Sequence, residues 1–95
     1  MTQQYLAGEL SLLLGQLLAV TAIEASVGEV IYLRQRAETG PRSALACVAV
    51  RALEVADGVC WESLTRGDAA AFIRQAAVCA ALWEFSVCAG LLEER

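Results

Sequence analysis

The feature that most constrains this chain is an uncharged run of fourteen residues, Leu10–Ile23, which reads LSLLLGQLLAVTAI between Glu9 and Glu24. A bilayer-spanning helix needs about 20 mainly apolar residues. A signal peptide begins with basic residues, whereas this chain begins MTQQY and has none before Arg34. The run therefore predicts a buried helix in a soluble, cytoplasmic protein with no membrane span.

The composition predicts that a single domain over residues 1–95 associates with something else. Hydrophobic residues make up 58% of the chain without its glycines, against about 45–50% with glycine in a typical soluble domain. A small domain has little interior in which to bury them. We therefore expect an apolar patch that a second copy, a dedicated protein partner or an apolar ligand covers. The net charge of −4 and the dispersed arginines argue against binding to nucleic acid and to anionic membranes.

Breaks in the pattern divide the chain into helices. We predict a first helix that ends near Ala37, a second over Arg42–Thr65 and a third over Ala69–Leu92. Gly40 and Pro41 mark the first connection. In the second connection, Gly67 is predicted to end one helix and Asp68 to cap the next.

The first helix has two alternative forms. Thr21–Glu24 and Ser26–Glu29 both match a capping box, which can begin a new helix. Only Gly28 is available to turn the chain there, however, so we favour one continuous helix over two short ones. The predicted fold is all-α, a small helical bundle of three long helices, or four if the first breaks near 21–28, completed by dimerisation.

Helical periodicity predicts which side of each helix is buried. The first helix carries a leucine seam and, nearly opposite, a seam of small residues where a second chain is expected. Trp83 and Phe85 point to different sides of the last helix, and Phe85 is taken as an interface anchor. The predicted leucine seam is Leu6, Leu10, Leu13, Leu17 and Val20. The predicted buried stripe of the last helix is Phe72, Ala76, Cys79, Trp83 and Val87. The candidate interface residues are Gly8, Leu14, Gly15, Leu18, Ala19, Ala22 and Phe85.

The residues available for chemistry are few. There is no histidine, so there is no imidazole base and no Ser-His or Cys-His pair. The four cysteines form no CxxC motif and are interpreted as small buried residues rather than metal or redox groups. We expect no catalytic residues, no cofactor and no metal. The predicted function is a non-catalytic interaction, oligomerisation or adaptor module, and the alternative is a carrier or sensor of an apolar small molecule bound between helices.

Overall fold

The structure, a computed structural model, describes residues 3–21 and 24–92. Within these ranges every regular element is helical, as predicted. The four helices are α1 (Gln3–Val20), α2 (Glu24–Thr39), α3 (Arg42–Arg66) and α4 (Ala69–Cys88).

The favoured prediction of one continuous first helix is wrong, because α1 ends at Val20 and a separate helix, α2, begins at Glu24. Thr21 follows the last turn of α1, and its hydroxyl donates a hydrogen bond of 2.6 Å to the Leu17 carbonyl. The break lies where Thr21–Glu24 matches a capping box, so the alternative with four helices describes the fold. A second helix of the same chain can then fold back and cover α1.

The helices form an up-down-up-down bundle in which each packs against the next in the chain and α4 closes against α1. Side-chain hydrogen bonds join neighbouring antiparallel helices. Ser11 of α1 donates 2.7 Å to Glu38 of α2, and Ser63 of α3 donates 2.6 Å to Gln75 of α4. The bundle measures 40 × 24 × 21 Å.

The core is a column of aliphatic side chains along the bundle axis. On α3 the inward residues are Leu45, Val48, Ala52, Val55, Ala56 and Val59, which are all buried. On α1 the inward seam passes through Leu14, which is 0% exposed, rather than through the half-buried Leu13. The reason is that α2 and α4 cover α1 from two sides, so that the seam lies between them.

The connection between α3 and α4 follows the prediction. Gly67 adopts the left-handed conformation with φ 77° and ends α3. Asp68 caps α4 by accepting a hydrogen bond of 3.1 Å from the Ala71 amide. Arg51 of α3 faces α2 and forms a bidentate ion pair with Glu29.

Candidate interaction surface

The last helix places two polar side chains in the interior and large apolar side chains at the surface. Its predicted buried stripe is wrong, since Trp83 is 58% exposed and Val87 is 52% exposed. The inward residues lie one position away, and they include two polar side chains, Gln75 and Ser86. The complete inward set is Ala71, Gln75, Val78, Leu82 and Ser86.

Gln75 explains this orientation because it joins three helices from inside the bundle. Its side-chain oxygen accepts the hydrogen bond from Ser63 of α3. Its amide nitrogen donates 2.9 Å to the carbonyl of Val20, at the end of α1 where the chain breaks. A helix leaves its last carbonyls without partners inside the helix. Gln75 supplies one such partner, which places its side of α4 inward.

The opposite side of α4 presents an apolar stripe to solvent. Its positions recur at spacings of four and three residues and all are exposed; they are the apolar Ile73, Ala77, Ala80 and Val87, with the charged Glu84 between the last two. Trp83 stands beside this stripe, and α3 adds two further exposed apolar side chains, Trp61 and Leu64. We define the outer face of the α3–α4 hairpin by its large apolar residues. These are Trp61, Leu64, Ile73, Trp83 and Val87.

Five of the nine exposed large apolar side chains of the described residues therefore belong to the α3–α4 hairpin. Their exposed fractions run from 50% at Leu64 to 67% at Ile73. A shallow groove of about 290 Å³ runs between α3 and α4 at this face. It is lined by Leu53, Glu54, Asp57, Cys79 and Trp83. Single exposed apolar residues are common on protein surfaces, whereas several large ones on one helical hairpin indicate a contact site.

Two charges of opposite sign lie on α4, Arg74 and Glu84. Both are exposed, and neither forms an ion pair with any residue that the structure describes. Of the six described arginines, Arg34, Arg51 and Arg66 have a carboxylate within 4 Å, and the other three form no ion pair with a described residue.

The predicted interface residues on α1 differ in their exposure and do not form one open surface. Leu14 lies inside the monomer core and is not available to a second chain, which corrects its assignment. Gly15 faces α2, where a Cβ atom would lie 3.5 Å from the Arg34 guanidinium. Gly8 and Ala19 are exposed and Leu18 is half-buried against the core. Ala22 lies outside the described residues.

Phe85 is the second correction on this surface. It is half-buried and packs against the core, while Trp83 is the more exposed of the two aromatic residues. Of the two aromatic residues, Trp83 is therefore the one that the folded monomer leaves exposed. The inward turn of Gln75 decides this, and no apolar pattern in the sequence reveals it.

The cysteines divide between interior and surface. Cys60 is buried and Cys79 half-buried, and burial raises the pKa of both thiols, with the negative charge of Asp57 adding to the effect. Cys47 and Cys88 are exposed, contrary to the expectation that the cysteines are core residues. Among the described residues no group of three or more His, Cys, Asp or Glu side chains is placed to hold a metal ion.

The apolar character of α4 also appears in a test for membrane spans. Of the described helices, Ala69–Cys88 alone is long and apolar enough to cross a membrane, by length and composition only, and 22% of the stretch is buried in the monomer. Such a match is weak evidence, because core helices of soluble proteins pass the same test. No family model, no curated protein and no solved structure matches the chain.

Proposed function

We propose that this chain is a non-catalytic helical interaction module that binds another protein chain through the outer face of the α3–α4 hairpin. The observation that carries the proposal is the orientation of α4. Its polar Gln75 and Ser86 are inside, and its large residues Ile73, Trp83 and Val87 are outside.

The energetic argument follows from that orientation. Full burial of a large aliphatic or aromatic side chain contributes about 1.5–3 kcal/mol relative to exposure. Much of this is unrealised in the monomer for Ile73 and Trp83, which are 67% and 58% exposed. A partner that covers the outer face recovers it. Tryptophan is also among the residues that most often dominate binding energy at protein interfaces.

A matched pair of variants tests the proposal. Trp83 on α4 and Tyr32 on α2 are both aromatic and both 58% exposed, but Tyr32 lies off the outer face. We expect Trp83→Ala to weaken association by at least about tenfold, as loss of an interface anchor does, while Tyr32→Ala leaves it unchanged. Light scattering coupled to size exclusion gives the mass of each variant over a concentration series.

Equal behaviour of the two variants would contradict the choice of face. Circular dichroism and thermal melting serve as the control, because both side chains are exposed and neither substitution is expected to disturb the fold.

A second candidate function is a carrier or sensor of an apolar small molecule. The specific feature in its favour is the groove beside Trp83, which has a largely apolar lining. Its volume of about 290 Å³ is at the lower limit for a ligand pocket. Native mass spectrometry distinguishes the two functions. A mass above that of the bare chain, or of its whole multiples, favours the carrier, and bare multiples favour the interaction module.

A further inference from the structure

The outward side of α4 has a symmetry that narrows the choice of partner. Arg74 and Glu84 lie five residues before and five residues after Cys79. Ile73 and Val87 lie seven residues to either side of Ala80. The opposite charges and the large apolar residues thus have nearly the same midpoint along the helix.

We infer that the outer face binds a second copy of this chain, with the two α4 helices antiparallel and related by a two-fold axis near Cys79 and Ala80. This rests on the proposed function and names the partner. In a two-fold contact both subunits use the same patch, so residues equally far from the axis on opposite sides meet. Arg74 then lies level with Glu84 of the partner subunit, and this pair occurs twice in each dimer.

The shapes of the side chains suit this arrangement. Ala77 and Ala80 occupy the middle of the outward stripe, so the two helix backbones can come to the short end of the usual interaxial distance of about 8–10 Å. Ile73 and Val87 close the stripe at its two ends. Trp83, beside the stripe, lies level with the partner's Ala76, which is small enough to leave room for the indole.

Charge and area agree with a second copy rather than a lipid surface. Arg74 and Glu84 have no ion-pair partner among the described residues, and the two-fold contact supplies one for each. A broad side of a molecule of 40 × 24 × 21 Å has room for the roughly 800 Å² per partner that a standard protein interface buries. The net charge of −4 works against binding to an anionic membrane.

Charge reversal tests the register directly. In Arg74→Glu both contacts become Glu–Glu, and in Glu84→Arg both become Arg–Arg. We expect each variant alone to have a dimer dissociation constant raised about tenfold or more, because like charges placed together at an interface weaken it. An equimolar mixture of the two variants restores opposite charges at both contacts, so the mixture is expected to dimerise like the unmodified chain.

The control is Arg36→Glu, which makes the same charge change at an exposed α2 residue without an ion pair among the described residues. We expect it to dimerise like the unmodified chain in sedimentation equilibrium. If the unmodified chain dimerises and Arg74→Glu behaves like this control, or the mixture fails to recover, the antiparallel register is wrong while self-association stands. If the unmodified chain stays monomeric, the homodimer itself is overturned, whether or not the monomer binds phosphatidylcholine vesicles.

Discussion

At the scale of single residues, two buried serines occupy opposite situations. Ser63 is 1% exposed and donates its hydroxyl to Gln75. Ser86 is 0% exposed, and its hydroxyl oxygen has no hydrogen-bond partner among the described residues. A buried polar group is costly when unpaired and modestly stabilising when paired. The same substitution therefore has different consequences at the two sites.

We expect Ser63→Ala to lower the free energy of unfolding by about 1–2 kcal/mol, because the Gln75 side-chain oxygen loses its donor inside the bundle. Ser86→Ala is expected to leave that free energy unchanged or to raise it by up to about 1 kcal/mol, since it removes an unpaired hydroxyl. Urea denaturation of both variants measures the two values. A larger loss for Ser86→Ala than for Ser63→Ala would contradict the hydrogen-bond assignment.

The ion pair between Glu29 and Arg51 predicts a pH dependence. The hydrogen bond from Arg51, followed by its charge, lowers the pKa of Glu29 below the ordinary value of 4.5. A carboxylate with a lowered pKa in the folded state stabilises the fold fully above the unfolded-state pKa. That stabilisation is lost as the pH falls through the lowered value.

The difference in unfolding free energy between the native chain and Glu29→Gln should therefore be largest and constant above pH 4.5 and should shrink in more acidic solution. Both side chains are partly exposed, so the effect is small and is reduced by added salt. Denaturation midpoints measured over a pH series supply the test. A difference that grows on acidification would show that the pair does not form.

At the scale of elements, two glycines at different places in the helices have opposite expected effects. Gly58 lies within α3, is exposed, and a Cβ there would have no neighbouring atom within 4 Å. Gly40, between α2 and α3, is buried, and a Cβ would lie 2.7 Å from the Arg36 carbonyl oxygen and 2.9 Å from the Ala44 Cβ.

Gly58→Ala is expected to raise the free energy of unfolding by about 0.5–1 kcal/mol, because alanine has the higher helix propensity and meets no obstacle. Gly40→Ala is expected to lower it by about 1–3 kcal/mol, because a backbone carbonyl must shift to admit the methyl group. Thermal melts of the two variants, made in parallel, compare them directly. Melting temperatures shifted in the same direction would contradict the geometry at one of the two sites.

The break after α1 shows where periodicity stops being informative. The helices α3 and α4 and the caps at Gly67 and Asp68 were predictable. A glycine that ends a helix and a carboxylate that caps the next one act only on the adjacent turn of the chain. Between Val20 and Glu24 the local signals allow either a helix or a new start. Whether the helix is interrupted depends on the free energy that is gained when α2 packs against α1. One such contact joins the side chains of Arg34 and Ser11, which lie 3.2 Å apart. That gain is tertiary and is not written in the local sequence.

The same reasoning explains the error in α4. The helix is apolar on several sides, so periodicity allows more than one inward direction. The choice is made by Gln75, which finds partners on both α3 and α1 at once. From the sequence alone, a glutamine at that position is expected at the surface, because its hydrogen bond to the Val20 carbonyl depends on the tertiary fold. The composition therefore predicted an exposed apolar patch, but the periodicity placed the expected contact surface mainly on α1, whereas five of the exposed large apolar side chains lie on α3 and α4.

At the scale of the whole molecule, the folded monomer accounts for only part of the apolar excess in its composition. The small-residue side of α1, where a second chain was expected, partly faces α2 of the same chain through Gly15 and Arg34. Of the nine exposed large apolar side chains among the described residues, five form the outer face of the α3–α4 hairpin and four lie on α1 and α2. The molecule is thus a self-contained bundle that leaves large apolar side chains exposed, five of them on one helical hairpin, and exposed apolar surface of this kind is expected of a subunit with a partner.

The measurement that tests this account most directly is the mass of the unmodified chain in solution, taken by light scattering over a concentration series that reaches high micromolar values. The account predicts a rise to twice the 10.1 kDa mass of one chain, with dissociation on dilution. A mass of 10.1 kDa at every concentration would contradict the claim that a second copy covers the outer face.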